Sequence, residues 1–141
     1  TLHARVRGQL SSTNLLASEQ FGLGGWDTVR GYQVREVNAD NVFIGNLEFR
    51  SPPIKTIGHL NKIPKDELLF LVFVDYAYGR NHKVFPREID HNNMMGVGPG
   101  VRYNIPPYIT FRGDLGYKVW QPLQSDNHTR WRFEFGLIAS Y

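Results

Sequence analysis

The chain has 141 residues, no cysteine and a net charge of +3, which suits a single domain and excludes disulfide bonds and thiolate metal sites. Its 16 Lys and Arg residues are interleaved along the chain with 13 Asp and Glu residues, so no basic patch indicates nucleic-acid binding. No apolar run approaches the roughly 18 residues of a membrane-spanning helix. Fourteen glycines, 13% aromatic residues and period-two patterns predict an all-β chain.

Six segments alternate between apolar residues and polar or small ones, as β-strands with two different faces do. They span Leu2–Leu10, Asn41–Ser51, Leu68–Gly79, Met94–Asn104, Ile109–Lys118 and Arg130–Tyr141. In the third segment, Asp75 falls on the face opposite a row of large apolar side chains. The pattern therefore predicts about six antiparallel strands within one domain over residues 1–141.

A long Gly-rich stretch, residues 12–40, separates the first two predicted strands and contains "GGWDTVRGY". A phosphate-binding loop needs glycines that lead into a helix, with Lys and Ser or Thr at fixed offsets. Neither feature follows here, because the chain continues into a strand-like pattern. We therefore expect Arg30, which precedes Gly31, to have a partner other than a nucleotide.

Candidate chemical groups are few. The histidines lack the spacing of zinc ligands, and no Gly-x-Ser-x-Gly nucleophile motif is present, so we expect no enzyme activity, metal or cofactor. The histidines are His3, His59, His82, His91 and His128. Glu88 and Asp90, next to His91, lie in a polar loop and are predicted to be solvated. Six basic residues on polar strand faces line either a basic pore or an ordinary water-filled interior: Arg5, Arg7, Arg102, Arg112, Lys118 and Arg132.

Two architectures produce this alternation. A soluble β-sandwich turns the apolar faces inward to a core, whereas a transmembrane β-barrel turns them outward to lipid, with short turns at one end and long loops at the other. The connection "IPPY" is short and three others are long, which favours the barrel. The segment "PPIKTIGHLNKIPKDE" is long where a barrel should have a short turn. Pattern alone leaves both architectures open.

Two motifs, one in the long Gly-rich stretch and one in the third predicted strand, match motifs of a known family. "LLASEQFGLGGWDTVRGY", followed by "NVFIGNLEFRSP", resembles the long loop and next strand of the two-partner secretion transporters, which are outer-membrane β-barrels of the hemolysin-secretion type. Val29, Arg30, Gly31 and Tyr32 match the family's loop-tip motif. "FVDYA" matches its Phe-x-Asp-x-Gly strand motif at Phe73 and Asp75, with Ala77 where the family usually has Gly. "GVGPGVRYNIP" and "FEFGLIASY" are similar to its last strands, and the broader superfamily includes outer-membrane assembly factors.

The resemblance implies an all-β fold that is the C-terminal part of a bacterial outer-membrane barrel, with residues 12–40 entering the lumen. Arg30 would pair with Asp75 on the wall, and Gly31 would permit the close approach of the loop tip. The alternatives are a solvated Arg30 in an exposed turn and an Asp75 near water at a strand end.

The same resemblance implies contacts at the C-terminus and a function. Phe133, Phe135, Leu137 and Tyr141 would form the insertion signal that the barrel assembly machinery reads by strand pairing, although an ordinary amphipathic strand has the same pattern. The function implied is export of a large unfolded partner protein through a pore embedded in lipid. Alternatives are an assembly factor that inserts other barrels and a soluble β-sandwich binding module. We expect the isolated chain to self-associate through its unpaired strand edges.

Overall fold

The computed structural model describes residues 1–56, 66–82, 90–122 and 129–140. Within these ranges the chain forms eight β-strands. They are β1 (Leu2–Gln9), β2 (Phe21–Leu23), β3 (Val37–Ala39), β4 (Asn41–Arg50), β5 (Glu67–Arg80), β6 (His91–Ile105), β7 (Ile109–Lys118) and β8 (Trp131–Ala139). No helix among the described residues is long and apolar enough to cross a membrane.

Six of the strands form one antiparallel sheet in the order β1-β4-β5-β6-β7-β8. Their bounds lie within a few residues of the predicted segments; the largest difference is at β6, which begins at His91 rather than Met94. Continuous pairing places Asp75 of β5 between Asn46 of β4 and Gly96 of β6. The predicted all-β fold of about six antiparallel strands is confirmed.

The two faces of this sheet have opposite character. The exposed face carries large apolar side chains from five of the six strands, β1, β4, β5, β7 and β8: Leu2, Val6, Phe43, Leu47, Phe49, Phe70, Val72, Val74, Leu115, Trp131, Phe133, Phe135 and Leu137. The covered face includes buried Asn46, Asp75, Asp114 and Lys118. A soluble sandwich buries its apolar faces against each other, whereas a barrel in lipid exposes them. This sheet has the arrangement of the barrel.

The segment between β1 and β4 lies on the covered face. It contains a small antiparallel pair formed by β2 and β3, which the sequence pattern does not predict because each strand has only three residues. Loop and wall side chains share one apolar cluster: Leu23, Val29, Tyr32, Val37 and Ala39 from the loop with Val42, Ile44, Ala77 and Met94 from the wall. The methyl group of Ala77, where the related motif has Gly, therefore packs inside this cluster. The buried core lies between the loop and the inner wall.

Candidate functional site: a loop bound to the inner wall

Glycines allow the loop tip to contact the wall backbone. Gly31 has a φ of 94°, in the left-handed region that favours glycine. A Cβ on Gly116 of β7 would lie 2.4 Å from the Gly31 nitrogen, and one on Gly96 of β6 would lie 2.1 Å from the Arg30 carbonyl oxygen. Larger residues at these wall positions would displace the tip. The glycines of β6 and β7 thus fix how deeply Arg30 is placed.

Arg30 binds Asp75 through both arms of its guanidinium group. Nε donates to Oδ2 at 2.7 Å and Nη2 donates to Oδ1 at 2.8 Å. The backbone N–H of Arg30 also donates to Oδ2 at 3.1 Å, and Asn46 Nδ2 donates to Oδ1 at 2.8 Å. The Arg30 and Asp75 side chains are 3% and 1% exposed. The structure therefore brings the two motif residues together as a buried bidentate pair.

Two further carboxylates and an aromatic ring surround Arg30, and the more distant carboxylate oxygen, Asp114 Oδ1, lies 4.0 Å from Nη1. Nη1 donates to Glu48 Oε1 of β4 at 2.6 Å, and Arg30 Cζ lies 3.7 Å from the centroid of the Phe73 ring. Glu48 is oriented by Arg50, whose Nη2 donates to Oε2 at 2.6 Å. Burial alone would lower the pKa of Arg30, but Asp75 and Glu48 together raise it. The guanidinium group is therefore charged at every working pH. We refer to Arg30, Asp75, Glu48 and Phe73 as the Arg30 cluster.

Sequence reasoning did not single out Glu48. The sequence pattern does place Glu48 on the same face of β4 as Asn46, and in the structure that face is covered by the loop. Strand pairing sets Glu48 directly opposite Phe73. The alternation of residues along β4, however, gives no indication of which loop residue contacts Glu48.

Trp26 makes a further contact with the wall, four residues before Arg30. Its Nε1 donates to Asp114 Oδ2 of β7 at 2.6 Å, and the Arg112 guanidinium carbon lies 3.9 Å from the centroid of a Trp26 ring. Arg102 of β6 donates to both oxygens of Asp114, at 2.8 and 3.0 Å. A Cβ on Gly136 of β8 would lie 2.6 Å from Trp26 Cη2. The loop is thus held against β7 and β8 as well.

Tyr32, which follows Arg30 and Gly31 in the loop tip, is fully buried. Its hydroxyl oxygen accepts the N–H of Met95 at 3.0 Å and lies within hydrogen-bond distance of the Met95 and Trp120 carbonyl oxygens. Burial raises the pKa of Tyr32 to about 12. The phenol is therefore neutral and able to donate at neutral pH.

The predicted C-terminal residues lie on the last strand of the sheet. Phe133, Phe135 and Leu137 are exposed on the apolar face of β8, whereas Tyr141 lies outside the described residues. Among the described strands, β8 pairs only with β7. The remaining edge of β8 presents backbone groups to which another strand can pair.

Four of the six basic residues predicted on the covered face have acidic neighbours, whereas Arg7 Nε and Nη2 are buried without a hydrogen-bond partner among the described residues. Asp114 lies near Arg102 and Arg112, Glu36 pairs with Lys118, and Glu134 pairs with Arg132. Arg5 donates to a backbone oxygen of the loop, that of Asp27. This wall is a network of opposite charges rather than a uniformly basic lining.

No group of at least three potential metal ligands occurs in the part of the chain that the structure describes. His91 Nδ1 lies 2.6 Å from an exposed carboxylate, that of Asp90. His59, Glu88 and His128 fall outside the described residues.

These features define a class of protein. An antiparallel sheet with an apolar exposed face, a polar covered face and a long loop bound to that covered face is part of the wall of a transmembrane β-barrel with an inserted loop. The chain matches the Omp85 superfamily domain over residues 1–138 and belongs to this superfamily. Its members are bacterial outer-membrane proteins that transport or assemble other proteins. No curated protein and no solved structure matches the chain.

Proposed function

We propose that this chain forms the C-terminal part of a two-partner secretion transporter in the bacterial outer membrane, which exports a large unfolded partner protein. The observation that carries the proposal is the buried contact of Arg30 with Asp75 and Glu48. Support within the superfamily comes from the resemblance of "VRGY" and "FVDYA" to the motifs of these transporters. No covalent chemistry is proposed, and the partners are the exported polypeptide, membrane lipid and the barrel assembly machinery.

The geometry suggests how the loop takes part in transport. A polypeptide crossing the barrel needs space along the inner wall, and the loop covers that wall from β4 to β8 through the contacts described above. Export therefore requires the loop to alternate between a bound and a released position, and the Arg30 cluster defines the bound position to which the loop must return. In this proposal the Arg30 cluster keeps the loop bound to the wall, while strand pairing holds the barrel together.

An assembly factor that inserts other barrels is the second candidate. It is favoured by the β8 edge, because an edge strand can template pairing with an incoming strand. The two candidates differ in cargo: a transporter releases a soluble polypeptide outside the cell, whereas an assembly factor inserts barrels into the membrane. A neighbouring gene for a large secreted repeat protein would favour the transporter.

The test is Arg30→Ala in the full-length protein, with secretion of the partner and membrane insertion measured together. We expect secretion to fall sharply, because the loop loses the bound position to which it must return in each transport cycle. Insertion of the protein itself should be unchanged, because no strand pair depends on Arg30. Arg80→Ala is the matched control, since Arg80 is an exposed arginine at the end of β5. Undiminished secretion by the Arg30 variant would refute the proposal, and loss of new barrels from the membrane with normal secretion would favour the assembly factor.

A further inference from the structure

A second buried ion pair joins the loop to the wall on the far side of Tyr32. Lys118 Nζ at the end of β7 donates to Glu36 Oε1 at 2.8 Å and to Oε2 at 3.1 Å. The Lys118 and Glu36 side chains are 1% and 4% exposed. Neither residue belongs to the "VRGY" or "FVDYA" motif.

Local structure fixes both partners in place. Glu36 Oε2 accepts the N–H of Gln33 at 2.6 Å, and the N–H of Glu36 donates to the Gln33 carbonyl oxygen at 3.2 Å, which closes a turn. Lys118 Nζ lies 5.1 Å from the centroid of the Tyr32 ring. Tyr32 in turn is bonded to Met95 of β6. We refer to Glu36, Lys118 and Tyr32 as the Lys118 cluster.

The charges are reversed relative to the Arg30 cluster. There the loop supplies the cation and the wall supplies the acids, whereas here the loop supplies the acid and the wall supplies the cation. A buried charge that loses its partner is strongly destabilising. If the loop shifted along the wall, each cluster would lose its own partner. The two clusters together therefore select one position of the loop.

We propose that Glu36 and Lys118 are positioning residues that form a second attachment of the loop, made by residues other than those of the Arg30–Asp75 contact, and that both attachments must open before the loop leaves the wall. The inference rests on the proposed function for its role in transport, but not for its effect on the loop. Arg30→Ala alone would then weaken the binding of the loop without removing the Glu36–Lys118 contact. Release of the loop requires water to reach both ion pairs.

Cysteine labelling can test this attachment because the chain contains no native cysteine. Thr28→Cys places a thiol at a buried loop position, 7% exposed, in the full-length protein in its membrane. The maleimide labelling rate then reports how often the loop opens. We expect Glu36→Lys or Lys118→Glu to raise the rate at least about tenfold, and the charge-swapped double variant to return it close to the parent rate.

Glu19→Lys is the matched control, because it makes the same charge reversal at an exposed position of the same loop. A second set covers the case in which reversals prevent folding: Glu36→Gln, Lys118→Met and their combination. Each neutral single variant should label faster than the combined variant, because only the singles leave a buried charge without its partner. Labelling at the parent rate in the single variants, or fully additive effects in both combined variants, would overturn the inference.

The labelling result does not depend on export. If charge swapping restores protection but secretion is the same in all variants, the second attachment stands and the transport proposal fails. If export follows Arg30 while labelling ignores Glu36 and Lys118, the transport proposal stands and the second attachment fails.

Discussion

The bidentate contact between Arg30 and Asp75 predicts strongly non-additive effects in a double-mutant cycle. The changes are Arg30→Ala, Asp75→Asn and the two combined, each in the Thr28→Cys background of the full-length protein. Residues that share one buried hydrogen-bonded pair couple, because either change removes the same contact. We therefore expect the combined variant to resemble Arg30→Ala alone.

The remaining hydrogen bonds set the size of each effect. Loss of one partner from a buried pair costs about 3–5 kcal/mol. After Arg30→Ala, Asp75 still accepts the backbone N–H of residue 30 and the amide of Asn46, which places the cost near the lower limit, about 3 kcal/mol. After Asp75→Asn, Arg30 still binds Glu48 at 2.6 Å, so this cost should be smaller, about 2 kcal/mol. The coupling energy should then be about 2 kcal/mol.

Labelling rates measure these differences directly. When reclosing is fast, about 3 kcal/mol in the opening equilibrium corresponds to labelling faster by about 100-fold. Asp75→Asn should increase the rate about 30-fold, and the combined variant should stay within a few-fold of Arg30→Ala. Multiplication of the two single effects would mean that Arg30 and Asp75 act separately, and the reasoning from their contact would be refuted. Heat-dependent gel mobility provides the control that every variant contains a folded barrel.

Further predictions follow from the same contacts. Arg30→Lys should restore secretion only partly relative to Arg30→Ala, because an ammonium group cannot bind both oxygens of Asp75 in a planar fork. Gly116→Ala should impair secretion, since its Cβ would lie 2.4 Å from the nitrogen of Gly31, whereas Gly45→Ala, whose Cβ meets nothing closer than 3.9 Å, should not. The pKa of Tyr32 is raised from 10.0 to about 12. The stabilisation of the bound loop by Tyr32 should therefore be complete below pH 10.0 and lost as the pH rises through about 12. Tyr32→Phe should remove this pH dependence from the Thr28→Cys labelling rate. The isolated chain should sediment as an oligomer or require detergent, and a stable, well-folded monomer in plain buffer would contradict this expectation.

The sheet was predictable from the sequence because its signal repeats in every strand. Alternation places Phe43 and Leu47 on one face of β4 and Ile44 and Asn46 on the other, and the structure exposes the first pair and covers the second. Alternation could not decide whether the apolar face met lipid or a protein core. Covering of the polar face by the chain's own loop resolves that choice, since Asp75 is fully buried by loop contacts while Val74 beside it is exposed.

The loop contacts were less predictable because they join residues that are far apart in sequence. Arg30 and Asp75 could be paired only through the resemblance of their two motifs. Trp26 and Asp114 are separated by 88 residues and Glu36 and Lys118 by 82 residues, with no local pattern to connect them. Alternation along β7 correctly places Lys118 on the polar face of the sheet. Its acidic partner, Glu36, comes from a loop that has no alternating pattern, so the pair could not be predicted.

Burial makes the binding of the loop to the wall cooperative. The attraction within an ion pair is much stronger in a protein interior than in water, and the apolar loop residues Leu23, Val29 and Val37 pack with the wall in one buried cluster. Water that entered after the loss of one contact would screen the other, so the Arg30 and Lys118 clusters should open together rather than in succession. A loop held in this way has two states, bound to the wall or released, because partial displacement keeps the cost of desolvated charges without the benefit of their pairing. The Thr28→Cys labelling profile should therefore fit a single opening step, and two separate phases would show that the clusters open independently.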